Sequence, residues 1–479
     1  MRQVLVDNLL MVLFVVRLAF AALFGVLLVG LLIWMERKIM AFIQDRPGPN
    51  RAAVFGIFRL GGLGHAMADP IKLIFKEDLT PERVNRFYYF VAPYIAVAVS
   101  LMTFAVIPWS GPILIYTSDG LREVAMQVAA LDFGVLYILA ITSLGVYALM
   151  LAGWASNNKF SLLGSVRSGA QMMSYEIAMG LALVAIVLAY ATEQGNALRL
   201  EFLVAQQGER IAGILPRWGI FLQPVGFFLF FGALLAELNR MPFDLPEGEA
   251  ELTAGYHTEY SSLKFAMFFM AEYVNMVVAS ALLATLYFGG WQIPFVTTAQ
   301  LRNPAVAKFG TLLLIGAPLL LLIGAAIQLW RFHRSHRHYF GDKRDLEPII
   351  LLVVVLGLCL GLSGAFVQLV LHGLPSWWPR LFQPLAQAGC FVTKVLIFCF
   401  IFILIRWTIP RFRYDQIMGL GWKMMIPIGI INLFFAGVGT LLPNRWNYAV
   451  VVLNLVVCLF YATRRIDIGV SRRIAIGRS

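Results

Sequence analysis

The sequence predicts an all-α membrane protein that crosses the bilayer many times, and three observations lead to this fold class. Of the 479 residues, 60% are hydrophobic and 13% are charged, whereas about a quarter of the residues in a soluble domain are charged. The mean hydropathy is +0.78. Apolar runs of about 20 residues, the length that crosses a bilayer, recur along the chain, so we expect about eleven transmembrane helices.

The apolar runs divide the chain into spans and loops. The first run contains Arg17 but is too long for the apolar core of a cleaved signal peptide, so we expect it to remain as the first span. The last run is the shortest. The runs fall near residues 9–35, 87–108, 133–153, 175–192, 218–237, 265–288, 309–330, 349–372, 388–408, 424–442 and 447–462.

The basic residues predict the orientation. The formal net charge is +12. If residues 36–86 are cytoplasmic, that side of the membrane carries a roughly threefold excess of Lys and Arg, which places the amino terminus outside and the carboxyl terminus in the cytoplasm. Since topology explains the positive charge, the lipid bilayer is an expected partner and nucleic acid is not.

The cysteines give no sign of a metal or cofactor. The four cysteines, Cys359, Cys390, Cys399 and Cys458, lie in or beside apolar runs and form no C-x-x-C pair or Cys/His ligand spacing. We therefore expect no metal site and no cofactor bound by this chain. If the protein serves a redox reaction, the electron carriers belong to other chains.

An acidic segment between two apolar runs is the predicted functional centre. Such charges beside hydrocarbon cost about 2.5–3.5 kcal/mol each at a membrane centre, which favours a functional reason for them. Pro242 and Pro246 prevent one continuous helix, so the backbone is expected to break and line a cavity within the protein. A solvated cytoplasmic loop is the alternative. The segment, residues 236–251, contains Glu237, Arg240, Asp244, Glu247, Glu249 and Glu251.

Three further ionisable residues lie within apolar runs. Glu176, Glu272 and Lys394 are functional candidates for that reason, although each could also snorkel or pair for structural reasons. In the long loop after the first span, Asp69 and Lys72 have the spacing of a helical salt bridge.

Several ordered sequence blocks resemble those of one protein family. The blocks include E-R-K at 36–38, Q-D-R-P-G-P-N-R at 44–51, A-D-P-I-K-L-I-F-K-E-D at 68–78, G-W-A-S-N-N-K-F-S-L-L-G at 153–164, S-Y-E at 174–176, A-E-L-N-R-M-P-F-D-L-P-E-G-E-A-E-L at 236–252, A-E-Y at 271–273 and I-L-I-R-W-T-I-P-R-F-R-Y-D-Q at 403–416. With these blocks the chain is similar to the H subunit of bacterial respiratory complex I, the proton-pumping NADH:quinone oxidoreductase, whose mitochondrial counterpart is subunit 1.

The resemblance implies a division of the chain. Members of the family normally have eight spans, so residues 1–293 and 386–445 correspond to the family's membrane domain and its last two spans. Residues 294–385 are expected to be an inserted pair of transmembrane helices, and residues 446–479 an extra span with a basic tail. His65 stands where the family commonly has Gln.

The resemblance also implies roles for residues. The quinone tunnel would include Glu36, Arg37, Arg46, Asp69, Lys72, Arg240, Glu247, Glu249 and Glu251. The proton route would include Glu176, Glu237, Glu272 and Lys394. Quinone would be the substrate, and the FMN and iron–sulfur clusters would lie on partner subunits, so the isolated chain is expected to be inactive.

The implied partners are the other complex I subunits in a bacterial inner membrane. They are the peripheral-arm subunits that hold the quinone site and the iron–sulfur clusters, and the small membrane subunits that adjoin the antiporter-like subunits. The hypothesis is that quinone chemistry changes the protonation of Glu247, Glu249 and Glu251, which titrate as a coupled set. The second interpretation is the equivalent subunit of a hydrogenase- or formate-linked relative. A secondary transporter would require internal repeats, which the two halves of the chain do not display, and a purely structural anchor leaves Glu176 and Glu272 unexplained.

Overall fold

The computed structural model describes most of the chain. The described residues are 2–50, 52, 60–117, 120–191, 195–211, 215–244, 255–335, 347–372, 375, 378–442 and 447–476. Three predicted tunnel residues, Glu247, Glu249 and Glu251, lie outside these ranges.

Helices dominate the described residues. They are α1 (Arg2–Ile43), α2 (Gly64–Phe75), α3 (Arg86–Phe104), α4 (Gly134–Ala155), α5 (Lys159–Ala189), α6 (Leu200–Gln207), α7 (Gly219–Leu222), α8 (Pro224–Glu237), α9 (Ser262–Tyr287), α10 (Thr298–Leu301), α11 (Pro304–Ser335), α12 (Glu347–His372), α13 (Trp378–Thr408), α14 (Tyr414–Leu420), α15 (Ile426–Leu441) and α16 (Asn447–Ile476). A turn of π-helix, Gly421–Met425, joins α14 to α15.

The predicted fold class is confirmed. Within the described ranges, nine helices are long and apolar enough to cross a membrane, and two shorter apolar helices, Pro224–Glu237 and Tyr448–Arg464, accompany them. These helices coincide with the eleven predicted apolar runs. The prediction succeeds because the ability of a segment to cross a bilayer depends on the length and hydropathy of that segment alone. The long loop after the first span contains a helix of its own, α2, from Gly64 to Phe75.

Local sequence explains where several helices begin and end. At the start of α5, the side chain of Asn158 accepts a hydrogen bond from the backbone N–H of Phe160 at 3.0 Å, as an N-cap does. The helix α8 begins at Pro224 and ends at Glu237, ahead of Pro242. The backbone therefore breaks within the acidic segment, as the prolines predict.

The core of the bundle surrounds α9. Two thirds of its spanning window, 67%, is buried inside the protein. It packs against α1, α3 and α13, while α5 packs against α4, α8 and α15. The ends of α1 and α13 that hold Ile43 and Thr408 lie at the same end of the bundle as Glu237 and Ser262. We call this the Glu36 end, and the opposite one, which holds Phe104 and Tyr287, the Trp109 end.

A β-hairpin at the Trp109 end was not predicted. The strands β1 (Ser110–Thr117) and β2 (Gly120–Met126) pair antiparallel, with Ile115 opposite Arg122. The hairpin is fastened to the bundle because Gly111 N–H donates to Gln387 Oε1 at 3.1 Å and Arg17 donates to Ala125 O at 2.6 Å. The strand run follows an apolar span directly, so hydropathy alone does not separate the two.

The helices of the predicted insertion lie at the edge of the bundle. The helices α11 and α12 pack against each other, and α11 also contacts α13. Only 6% of the spanning window of α11 and 0% of that of α12 are buried. The last helix, α16, packs on α15 and α8. That these helices are additions to the family's eight spans stays a prediction.

Candidate functional site

Five polar side chains meet in the interior at the Glu36 end of the bundle. Glu36 Oε1 lies 2.5 Å from an Arg406 guanidinium nitrogen, and Glu36 Oε2 lies 3.2 Å from Arg240. Tyr273 donates its hydroxyl to Glu36 Oε2 at 2.7 Å. Arg240 Nε lies 2.5 Å from Glu272 Oε1, and its guanidinium is 4.4 Å from the Tyr273 ring. We call Glu36, Arg240, Glu272, Tyr273 and Arg406 the Glu36 cluster.

The Glu36 cluster is almost completely removed from solvent. The side chains of Glu36, Arg240 and Arg406 are only 6%, 2% and 5% exposed. Two carboxylates face two guanidinium groups, so the formal charges balance, which a buried ion pair requires. The members come from α1, the segment after α8, α9 and α13, so the cluster links four parts of the chain.

The sequence predicted three members of the Glu36 cluster and missed two. Arg240 and Glu272 were candidates because their charge adjoins apolar sequence, and Glu36 was a candidate through the family resemblance. Arg406 was not a candidate, yet its guanidinium is buried on Glu36. Its place inside the apolar run 388–408 was the available signal. Tyr273 carried no signal of its own beyond its position beside Glu272.

A cavity near the Glu36 cluster holds other predicted tunnel residues. It has a volume of about 480 Å³, and its lining includes Arg37, Arg46 and His65. We call it the Arg46 cavity. Arg37 directly follows Glu36 in the sequence but points to α2, where it forms a 2.7 Å salt bridge with Asp69. The other lining residues are Met40, Gly48, Pro49 and Asn50.

Asp69 forms a salt bridge between α2 and α1 instead of the expected one within α2. Asp69 and Lys72 are three residues apart, yet the ion pair that Asp69 forms within the described residues is with Arg37. Lys72 is exposed on α2. The structure therefore brings Asp69, Arg37 and Arg46 to one region and leaves Lys72 on its outer surface.

A second cavity contains the next carboxylates of the predicted proton route. It lies between α4, α5, α8 and α9, and its volume of about 80 Å³ is enough for several water molecules. We call it the Glu237 cavity. Its wall is mostly apolar, with a few polar side chains that include Thr142, Glu237, Glu272 and Asn275. Glu272 thus belongs both to the Glu36 cluster and to the wall of this cavity.

Glu176 is a further carboxylate of the predicted proton route, next to Glu237 and outside the Glu36 cluster. It lies on α5, and its carboxylate is close enough to that of Glu237 for their charges to interact. Glu272 and Glu237 therefore share the wall of the Glu237 cavity, and Glu176 is an electrostatic neighbour of Glu237 outside that wall.

Lys394 is not part of this line. Its ammonium group donates to the carbonyls of Phe288, Gly290 and Gln292 at 2.8, 2.9 and 2.7 Å, and it lies 5.0 Å from the ring centroid of Trp218. These contacts are at the Trp109 end, where α9 ends. Glu272 and Phe288 are roughly 24 Å apart along α9 at 1.5 Å per residue.

Replacing Lys394 with Met is expected to lower the free energy of unfolding by about 2–4 kcal/mol, because three carbonyl oxygens lose a charged donor. The measurement is the thermal unfolding midpoint of the detergent-purified protein. Lys308→Met is the control, since Lys308 is an exposed side chain on α11. Equal midpoints for the two variants would contradict a stabilising role for these three hydrogen bonds.

His257 provides a pH-dependent feature in the connection between α8 and α9. Its ring lies 5.0 Å from that of Tyr256 and 5.4 Å from that of Phe265. Burial lowers the pKa of His257 to about 4. The folded protein therefore holds this imidazole neutral at neutral pH.

Acidification is expected to destabilise the protein through His257. Because its folded pKa is below the unfolded value of about 6.5, the contribution to stability is complete above pH 6.5 and is lost as the pH falls towards 4, by roughly 3 kcal/mol at most. The unfolding midpoint of the native protein should fall in this window more steeply than that of His257→Gln. If the unfolding midpoints of the two proteins fell in parallel with pH, His257 would not be the source of the acid destabilisation.

The site and the fold define a class of protein: a polytopic helical membrane protein with a balanced charged cluster and a line of carboxylates inside it. A family described as NADH dehydrogenase matches residues 16–437. The chain belongs to this family.

Curated relatives agree with this assignment. The chain is 42% identical over 423 residues to the NADH-quinone oxidoreductase H subunit 1 of Solibacter usitatus, covering 87% of this chain and 94% of that protein. It is 40% identical over 427 residues to the NADH-quinone oxidoreductase H subunit of Leptospira biflexa, covering 88% and 93%. It is 37% identical over 413 residues to NADH-quinone oxidoreductase subunit 8 of Rhodothermus marinus, covering 86% and 93%. The predicted resemblance to the H subunit of complex I is therefore confirmed, and these relatives are subunits of an enzyme complex.

Proposed function

We propose that this chain forms much of the quinone-binding chamber of a proton-translocating NADH:quinone oxidoreductase and transmits quinone reduction to proton movement. The observation that carries the proposal is the continuity of ionisable groups inside the bundle. The Glu36 cluster is joined through Glu272 to the Glu237 cavity, and Glu237 in turn interacts with Glu176.

The Arg46 cavity supplies the chemistry for a quinone headgroup. Reduction of a quinone adds two electrons and two protons, and cationic donors stabilise the anionic stages. Arg37, Arg46 and His65 line this cavity, and Arg37 adjoins Glu36 in the sequence. Asp69 holds Arg37 from α2. Lys72, Glu247, Glu249 and Glu251 are assigned to the same chamber by resemblance alone.

The Glu36 cluster is placed to sense a charge in the chamber. Its two cations and two anions are balanced, so a negative charge nearby shifts the energy of every member in an interior of low dielectric constant. Relief comes if a proton moves onto a carboxylate. Glu272 is the carboxylate that also faces the Glu237 cavity, so it is the point where such a proton passes onward.

Glu237 and Glu176 then carry the proton away from the chamber. Two carboxylates with interacting charges in an apolar surrounding favour holding one proton between them over two negative charges. Lys394 is assigned to the route by resemblance, at the opposite end of α9.

The proposal also includes the membrane, the orientation and the partner subunits of the chain. The chain lies in a bacterial inner membrane with its amino terminus outside, so that the Glu36 end faces the cytoplasm. There it meets the peripheral-arm subunits that bear the quinone site and the iron–sulfur clusters. Glu176 leads towards the small membrane subunits that adjoin the antiporter-like subunits.

Arg46→Met tests the quinone chamber. In membranes that carry the variant complex, we expect the KM for a short-chain quinone to rise about tenfold, because a cationic partner of the headgroup is lost. Lys76→Met, a neighbouring change on the exposed end of α2, is the control and should leave KM unchanged. Equal KM values for the native and Arg46→Met complexes would contradict the placement of the headgroup.

Purification of the intact complex tests the electron donor. Gentle solubilisation and capture of this chain should yield flavin and iron–sulfur subunits together with NADH-driven quinone reduction that a quinone-site inhibitor blocks. A nickel–iron hydrogenase or a formate-oxidising partner in place of the NADH-oxidising subunits would contradict NADH as the electron donor. The proposed quinone-binding chamber would still stand.

A further inference from the structure

Two polar side chains approach a glycine near the Trp109 end of the bundle, and the side chain of Gln223 begins beside it. A Cβ atom on Gly226 of α8 would lie 3.4 Å from Asn432 Nδ2 and 3.4 Å from the Tyr287 hydroxyl oxygen. It would also lie 3.5 Å from Gln223 Cβ. Asn432 comes from α15 and Tyr287 from the end of α9, so three helices meet at this point.

The side chains at this point are buried. Tyr287 and Asn432 are 0% exposed, and Gln223 is 6% exposed. Asn432 Oδ1 accepts a hydrogen bond from Asn454 of α16 at 2.8 Å. Among the described residues, however, Asn432 Nδ2, the Tyr287 hydroxyl and Gln223 Oε1 have no hydrogen-bond partner.

The unpaired atoms of Asn432 and Tyr287 beside one point, with a third unpaired atom on the adjoining Gln223 side chain, need a common explanation. A buried polar group without a partner is destabilising, and buried groups of this kind are usually satisfied by protein or by ordered water. Asn432 Nδ2 and the Tyr287 oxygen lie equally close to one point without bonding to each other, so one small molecule between them reaches both. Space for a methyl group exists beside Gly226, because the nearest atoms are at van der Waals distance.

We propose that a water molecule is bound between α8, α9 and α15 beside Gly226. It accepts a hydrogen bond from Asn432 Nδ2, exchanges one with the Tyr287 hydroxyl and donates one to Gln223 Oε1. The three partners are neutral and include both donors and acceptors, which suits water and offers no counter-charge to an ion. Asn454 then connects this hydrated site to α16 through Asn432.

The proposal is independent of the quinone chemistry. The site lies about eleven residues of α8 away from Glu237, or roughly 16 Å at 1.5 Å per residue. Its expected role is to hold α15 and α16 on the core, because the water completes a hydrogen-bonded path from α9 to Asn454.

Two single variants and their combination test the site in the purified complex. Tyr287→Phe removes one partner of the water, and Gly226→Ala adds a methyl group that leaves no room for the water beside Gly226. We expect each to lower the unfolding midpoint by at least about 2 °C. The double variant should fall no further than the lower of the two single variants, because both changes remove the same water.

A site without bound water predicts changes of the unfolding midpoint in the opposite direction. In a dry site, Tyr287→Phe removes an unpaired hydroxyl and leaves the midpoint unchanged or higher, and Gly226→Ala raises it through helix propensity. Gly437→Ala on α15 is the matched control, since nothing lies within 4 Å of its added Cβ, and it should not lower the midpoint. An unchanged or raised midpoint for Tyr287→Phe would overturn the proposal.

A direct observation covers the case in which these variants do not assemble. A cryo-EM map of the unmodified complex at a resolution that shows ordered water should contain density within hydrogen-bonding distance of both Tyr287 and Asn432. A direct hydrogen bond between the side chains of Tyr287 and Asn432 in place of this density would also overturn the proposal.

Discussion

Glu36→Gln is expected to lower the free energy of unfolding by about 3–5 kcal/mol and to abolish NADH-driven quinone reduction. Glu36 is the shared acceptor for Arg240, Arg406 and Tyr273. Its neutralisation leaves two buried guanidinium groups facing one carboxylate, and breaking a buried pair by removing one partner has a cost of this size. The measurements are the unfolding midpoint and the quinone reductase rate of the purified complex.

A second change separates charge balance from other effects of Glu36→Gln. Arg406→Gln in the same chain removes the excess cation, so the double variant should be less destabilised than the sum of the single variants by about 0.5–3 kcal/mol. Additive losses would mean that Glu36 and Arg406 do not act as a pair.

Arg37→Gln is the matched control for stability. Arg37 is the next residue on α1, and its salt bridge with Asp69 is 43% and 31% exposed at the two side chains. An exposed pair of this kind contributes at most about 1 kcal/mol. If Glu36→Gln were no more destabilising than Arg37→Gln, the buried cluster would not have the structural importance that its burial indicates.

Glu237→Gln is expected to reduce NADH-driven proton translocation at least about tenfold, because a positioned proton-transfer group typically contributes more than that to a rate. The substitution keeps the shape of the side chain and removes the titrating oxygen from the wall of the Glu237 cavity. The KM for quinone should stay unchanged, since Glu237 lies beyond the Glu36 cluster. Acidification by closed membrane vesicles measures the translocation.

Glu201→Gln is the control for Glu237→Gln. Glu201 lies on α6 at the opposite end of the bundle, and burial raises its pKa. It is not part of the line of carboxylates, so its replacement should leave translocation intact. If Glu237→Gln and Glu176→Gln both preserved quinone reduction and proton translocation, the proposed route would be wrong.

The fold could be predicted almost completely from the sequence. Each of the eleven apolar runs became a helix of the described structure because a bilayer selects on the hydropathy of one segment at a time. The β-hairpin Ser110–Met126 was missed, because its stability depends on Gln387 and Arg17, which are distant in the chain. The split between family spans and additions stays a prediction.

The candidate site could be predicted in part. Arg240 and Glu272 were selected because charge beside apolar sequence is costly, and Glu36 was selected through the family resemblance. The three lie together in the Glu36 cluster. Arg406 was not selected, since an Arg at the end of a span is usually an anchor at the membrane surface. Three predicted residues, Glu247, Glu249 and Glu251, lie outside the described residues, so their role stays a prediction.

The sequence by itself determined the membrane class, the eleven apolar helices, the family and most of the ionisable residues, because hydropathy and motifs are read along the chain. Only the tertiary structure decided which charges pair. Glu36 and Arg406 are 370 residues apart in the sequence, and Asp69 bonds to Arg37 rather than to its helical neighbour Lys72. The reason is physical: the cost of burying a charge is local, whereas the partner that offsets this cost is chosen by the packing of remote helices.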